Sequence, residues 1–114
     1  MVFLSLGSNL SSNFGDRYKN IELAILHLLK YKIKLIKKSS FYETQSYPDQ
    51  NKPKFINIII LIETNLKPEE LASVIIDTEK KLGRTRVKKN DPRTCDIDII
   101  DFDNKIMNFS YKEQ

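Results

Sequence analysis

The chain has 114 residues, a net charge of +4, and hydrophobic and charged fractions of 40% and 30%. This excludes a disordered or fibrous protein and leaves room for one domain (1–114) with its own core. No membrane span of roughly 20 apolar residues, no basic leader before VFLSL and no second cysteine beside Cys95 are present, so a cytoplasmic protein without disulfides is expected.

In chain order, VFLSL (2–6) predicts a strand that ends at the turn Gly7-Ser8-Asn9. From Asp16 to about Lys30, Ile21, Ala24, Ile25, Leu28 and Leu29 recur at helical spacing. Ile33, Leu35 and Lys37 then alternate with polar neighbours toward Phe41 and Tyr42, which predicts one half-buried strand. Residues 43–54 are polar, carry two prolines and read as an exposed loop. FINIIILIET (55–64) is a long β-branched run and the best candidate for a central strand.

Pro68, Glu69 and Glu70 open a second helix, because proline suits the first helical position and acids suit the positive helix end. Leu71, Val74, Ile75, Thr78 and Leu82 form its buried stripe, and Gly83 stops it. A basic loop, 84–93, leads into the strand CDIDIIDF (95–102), and Asp103-Asn104 predicts a hairpin turn before KIMNF. The order β-α-β-β-α-β is that of an α+β ferredoxin-like sandwich, an antiparallel sheet with helices packed on one face. That architecture alone does not fix a function.

The chemistry concentrates at PRTCDIDII (92–100). Side chains of a strand alternate, so Asp96 and Asp98 share a face and lie roughly 6.6 Å apart along the chain. Two hard carboxylates suit Mg²⁺, which keeps several waters and is completed by substrate phosphates. Upstream, Arg84, Arg86, Lys88, Lys89 and Arg93 place five cations within ten residues. Arginine forks match phosphate oxygens bidentately, and lysine acts as a mobile point charge. The plain alternative is a solvated strand edge behind a solvated basic loop. His27 reads as a surface or packing residue, Cys95 as core, and Phe41 and Tyr42 as packing residues.

PRTCDIDII resembles the signature of the 6-hydroxymethyl-7,8-dihydropterin pyrophosphokinase family. LGSN (6–9), SSFYET (39–44), FIN (55–57), LKPEEL (66–71) and EKKLGRTR (79–86) resemble that family's blocks in the same order, over essentially the whole chain. The resemblance implies a Mg²⁺-dependent transfer of pyrophosphate from ATP to a pterin alcohol, in folate synthesis. Asp96 and Asp98 would hold two Mg²⁺ ions, and Asp96 would also meet the pterin hydroxyl. Arg84, Arg86 and Arg93 would act in catalysis, with Glu79, Arg86, Lys89, Arg93 and Ile99 at the ATP. Thr44, Phe55 and Asn57 would form the pterin pocket, shaped by Gly7, Ser8 and Asn9. A monomer with small-molecule substrates, no nucleic acid and no membrane partner is expected.

Three departures from the family pattern stand out. The basic loop is one residue shorter and has Asn90 where a tryptophan is frequent, and Asp91 replaces a small residue before Pro92. The chain also stops at Gln114, ahead of a further helix and strand of the family, so a C-terminally incomplete member is expected. The rival class is a non-enzymatic ferredoxin-like module binding nucleic acid or nucleotide, which the positive charge permits. Against it, no RRM-type aromatic motif is present. A sugar transferase using Asp-x-Asp is a third reading, and it would need a larger nucleotide-binding domain.

Overall fold

Strict alternation in FINIIILIET organises the molecule, since Ile56, Ile58, Ile60 and Ile62 fall on one face of a strand and Phe55, Asn57, Ile59 and Leu61 on the other. A computed structural model describes residues 1–45, 51, 53–83, 94–102 and 105–106. Their order is β1 (Val2–Ser8), α1 (Arg17–Leu28), β2 (Ile33–Lys38), β3 (Tyr42–Thr44), β4 (Phe55–Thr64), α2 (Pro68–Lys81), β5 (Asp96–Phe102) and β6 (Lys105–Ile106). The strands form one antiparallel sheet in the order β2-β4-β1-β5-β6, with β3 also on β4. Taking β2 and β3 as one interrupted edge, this is the α+β ferredoxin-like arrangement.

Both helices pack on one face. Leu4, Leu6, Ile58, Ile60 and Ile97 join Ile21, Leu28, Leu71 and Ile75 in a single buried cluster. Each such side chain, buried almost completely, contributes about 1.5–3 kcal/mol. The opposite face has no helix among the described residues, and Phe3, Asp98 and Ile100 are exposed on it. No described helix is long and apolar enough to cross a membrane.

The helix ends follow local chemistry. Asp16 caps α1 by accepting the Lys19 N–H at 2.9 Å. At the start of α2, Glu70 accepts the Lys67 N–H at 2.9 Å while Pro68 occupies the first turn. Gly83, at φ 84, ends that segment in a conformation glycine adopts freely. Where the helices meet, Thr78 donates to Val74 O at 2.8 Å and faces His27 Nδ1 at 2.7 Å. His27 is thus a packing residue between the helices, and Tyr31 beside it donates to Asp77 at 3.2 Å.

Three expectations need correction. The first strand does not stop before a turn at Gly7, because Gly7 and Ser8 both pair with β4 and Gly7 also pairs with β5. The expected single strand from 33 toward 42 is two, since the ten residues of β4 are long enough to receive β2 at one end and β3 at the other. Ser39 joins them, donating its N–H to Ile59 O at 2.8 Å and accepting the Ile59 N–H at 2.9 Å. The polar loop therefore begins only after Thr44. The hairpin expected at the end is present as Asp101↔Ile106 and Phe102↔Lys105, and its turn residues lie outside those described.

Candidate active site

β5 is built to show acid on one face and isoleucine on the other. Ile97 and Ile99 are 0% and 8% exposed in the core, whereas Asp96 is half-buried and Asp98 is exposed on the open face. Pairing to β1 fixes this orientation, with Gly7 opposite Asp96, Leu6 opposite Ile97 and Ser5 opposite Asp98. A bulge follows. Leu4 pairs with Ile99 and Phe3 with Asp101, so Ile100 is an extra residue in the ladder. Asp101, which simple alternation would turn into the core, is returned to the face of Asp96 and Asp98.

The same register carries the site across the sheet. Tyr42 lies opposite Asn57, Asn57 opposite Gly7, and Gly7 opposite Asp96, a row over four strands. Asn57 and Asp96 are therefore two strand spacings apart, about 10 Å. Gly7 between them is a requirement of space, since a Cβ there would come within 2.8 Å of Asn57 Oδ1 and 3.2 Å of Phe55 Cδ1. Asn57 donates from Nδ2 to Thr44 Oγ1 at 2.8 Å and to Tyr42 O at 3.4 Å. Both amide hydrogens are thereby used toward β3, and Oδ1 remains as an acceptor over Gly7.

The entry to β4 is pinned from the other side of the sheet end. Asn9, 2% exposed, donates to Pro53 O at 3.0 Å, and Arg17 Nη1 donates to Lys54 O at 2.8 Å. Asn20, fully buried on α1, donates to Leu10 O at 2.9 Å and holds the turn after β1. These contacts fix where Phe55 starts and hence the register of Asn57.

A metal fits this donor set on specific terms. No group of three or more His, Cys, Asp or Glu side chains able to hold a metal occurs among the described residues. Asp96 and Asp98 supply two hard oxygen donors on one accessible face, which is what Mg²⁺ takes when water and substrate phosphates complete its shell. A closed zinc-type site would need four protein ligands.

Comparison with known proteins decides the family. Residues 3–112 match the profile of 7,8-dihydro-6-hydroxymethylpterin-pyrophosphokinase (HPPK). The chain belongs to the HPPK family. Among its relatives, the 2-amino-4-hydroxy-6-hydroxymethyldihydropteridine pyrophosphokinase of Bacillus subtilis is 35% identical over 103 residues, covering 90% of this chain and 59% of that protein. The protein of the same name from Aquifex aeolicus is 35% identical over 106 residues, 93% of this chain and 63% of its own. Folic acid synthesis protein fol1 of Pneumocystis carinii is 38% identical over 107 residues, 94% of this chain and 14% of its own. The chain thus spans about three-fifths of the length of these two bacterial HPPK relatives.

Of the residues expected from the HPPK resemblance, the structure brings Thr44, Phe55, Asn57, Asp96 and Asp98 to one face of the sheet, around Gly7. The Ile99 side chain is in the core on the helix side, which leaves its main chain as the part that could meet a ligand. Glu79 is 5% exposed and its carboxylate accepts the Ile97 N–H at 2.8 Å, so it contacts β5 from behind the acid pair. Arg84, Arg86, Lys89 and Arg93, with Asn90 and Asp91, lie outside the described residues. Sequence reasoning missed Asn20, Arg17 and Asp101. A polar residue inside an apolar helix stripe was the signal for Asn20. Nothing local marks the other two.

Proposed function

We propose that the chain catalyses transfer of pyrophosphate from ATP to 6-hydroxymethyl-7,8-dihydropterin, as a cytoplasmic monomer using Mg²⁺; two of its relatives are named as pyrophosphokinases of a hydroxymethyldihydropteridine. The observation that carries this is the row Asn57–Gly7–Asp96, which puts a hydrogen-bonding amide and a metal-competent acid pair on one open face. With Nδ2 committed to Thr44 and Tyr42, Asn57 offers its Oδ1 to a ligand. An acceptor suits the N–H edge of a pterin, and the Phe55 ring next to it suits the flat bicycle.

In this reading the pterin hydroxyl oxygen forms a bond to the β-phosphorus of ATP while the bond from that phosphorus to the α,β-bridging oxygen breaks. AMP leaves with that electron pair, and Asp96 accepts the hydroxyl proton. Asp96 and Asp98 would hold two Mg²⁺ ions, which supply charge neutralisation at the phosphate oxygens. Arg84, Arg86, Lys89 and Arg93 would pair with phosphate oxygens, the arginines bidentately. Catalysis is then positioning and electrostatics, with no protein nucleophile. The nucleic-acid alternative is disfavoured because Asp96 and Asp98 put negative charge on the sheet face such a module would use.

The test is AMP release from ATP, Mg²⁺ and 6-hydroxymethyl-7,8-dihydropterin. Pterin-dependent AMP that falls on the order of a hundredfold or more in Asp98→Ala supports the proposal. AMP formation indifferent to either pterin or Asp98 would overturn it.

A further inference from the structure

Glu79 is a carboxylate that the reaction above does not use. It sits in the last turns of α2, is 5% exposed, and accepts the main-chain N–H of Ile97 at 2.8 Å. Ile97 is the residue between Asp96 and Asp98. We infer that Glu79 is a positioning residue for the acid pair, setting the spacing and pitch of Asp96 and Asp98 through the backbone of Ile97. The inference rests on the reading of that pair as metal ligands.

The geometry explains why a brace is needed there. In an antiparallel ladder, successive residues direct their N–H and C=O groups to opposite sides of the strand. The Ile97 N–H goes to Glu79, so Asp96 and Asp98 direct theirs toward β1, where they lie opposite Gly7 and Ser5. On its other side β5 pairs with β6 only at Asp101 and Phe102, two residues beyond Ile99. The stretch 96–99 therefore has one strand partner among the described residues, and it carries two like charges on alternate residues. The run of the main chain between the two acids therefore sets their spacing.

Glu79 braces it from the helix side. Its carboxyl oxygen accepts the Ile97 N–H almost out of reach of water, so that bond is kept. The Ile97 side chain, fully buried, anchors the same residue in the core. The centre of the Asp-Ile-Asp unit is thus held at two points, by Glu79 of α2 and by the core, and the carboxylates on the far face inherit that fixed main chain. Partners that orient metal ligands without touching the metal carry roughly 10–100-fold of metal affinity.

The test reads metal binding without turnover. Mn²⁺ is titrated into the chain with and without α,β-methylene-ATP, bound metal is measured by EPR, and thermal unfolding is recorded alongside. Glu79→Leu removes the acceptor, Glu79→Asp withdraws it by one methylene, and Glu79→Gln removes the charge but keeps an oxygen acceptor. We expect the Mn²⁺ dissociation constant to rise roughly tenfold or more in Glu79→Leu, to rise less in Glu79→Asp, and to stay within about threefold in Glu79→Gln. The Ile97 amide proton should move upfield in Glu79→Leu and stay in place in Glu79→Gln.

A role in stability alone would lower the melting temperature and leave Mn²⁺ affinity unchanged well below it. That result in Glu79→Leu overturns the inference, as does equal loss in Glu79→Gln and Glu79→Leu. Should Glu79→Leu not fold, the contrast between Glu79→Asp and Glu79→Gln decides on the same terms. If the parent chain binds no Mn²⁺ that Asp98→Ala removes, the metal reading of the pair fails first, and the inference falls with it.

Discussion

Gly7 and Asn57 face one another across β1 and β4, and the missing side chain of the first is occupied by the amide of the second, since a Cβ on Gly7 would stand 2.8 Å from Asn57 Oδ1. The glycine is a condition for the asparagine's pose. Gly7→Ala would displace Asn57 from its hydrogen bonds to Thr44 and Tyr42. The fold should lose about 1 kcal/mol, the value of one hydrogen bond, in a urea titration. Pterin affinity, followed by ligand fluorescence, should fall about fivefold by the same loss at the ligand. Unchanged affinity would show that Asn57 Oδ1 is not the contact.

Asp101 is a different case. Its Oδ1 is buried with no hydrogen-bond partner among the described residues, and it lies opposite Phe3. A buried acceptor without a donor costs about 1–3 kcal/mol. Asp101→Leu should therefore raise the urea midpoint, by an amount corresponding to about 1 kcal/mol since the residue is only half-buried. A lower midpoint would mean that the carboxylate is held favourably.

His27 gives the protein a pH dependence with a definite sign. Burial lowers its pKa from 6.5, against Asp77, which raises it, and with Lys81 and Lys30, which lower it further. Thr78 Oγ1 stands 2.8 Å from Val74 O and 2.7 Å from His27 Nδ1, and the imidazole is hydrogen-bonded to it. The unfolded chain takes up a proton near pH 6.5 before the folded one does. The stabilising contribution is therefore full above pH 6.5 and is lost as pH falls through the lowered folded pKa. The urea midpoint should drop from pH 7.5 to pH 5.5, and His27→Gln should drop less. Equal drops would remove His27 as the source.

The two faces of β4 should respond unequally to truncation. Ile60 is 1% exposed and belongs to the core cluster, so Ile60→Ala should cost about 2–5 kcal/mol. Ile59, half-buried on the open face, should cost roughly 1 kcal/mol. Chemical denaturation of both variants checks this, and equal costs would contradict the assignment of faces.

Much of this arrangement is written locally. The alternation of 55–64, the Pro68 helix start and the shared face of Asp96 and Asp98 are all consequences of short-range periodicity, and each is found in place. What the sequence hides is non-local. Gly7-Ser8-Asn9 carries a strong turn signal, but ladders on both sides of β1 keep Gly7 in the strand. The break between β2 and β3 is decided by how far β4 extends, which neither strand's own residues record. Arg17 and Asn9 act on carbonyls 37 and 44 residues away. Counting by twos sends Asp101 inward with Ile97 and Ile99, and only pairing to Phe3 shows otherwise.

The extra residue at Ile100 has a consequence for how this strand can change. A strand normally tolerates no change in length, because a slip of one residue turns every later side chain to the opposite face. Here the ladder already skips one residue, so deletion of Ile100 would restore plain alternation with Asp101 still opposite Phe3 and Phe102 still opposite Val2. Neither Asp96 nor Asp98 would move. β5 is thus two registered halves joined by one spare residue, and removing that residue leaves the half that carries the acid pair in its own pairing.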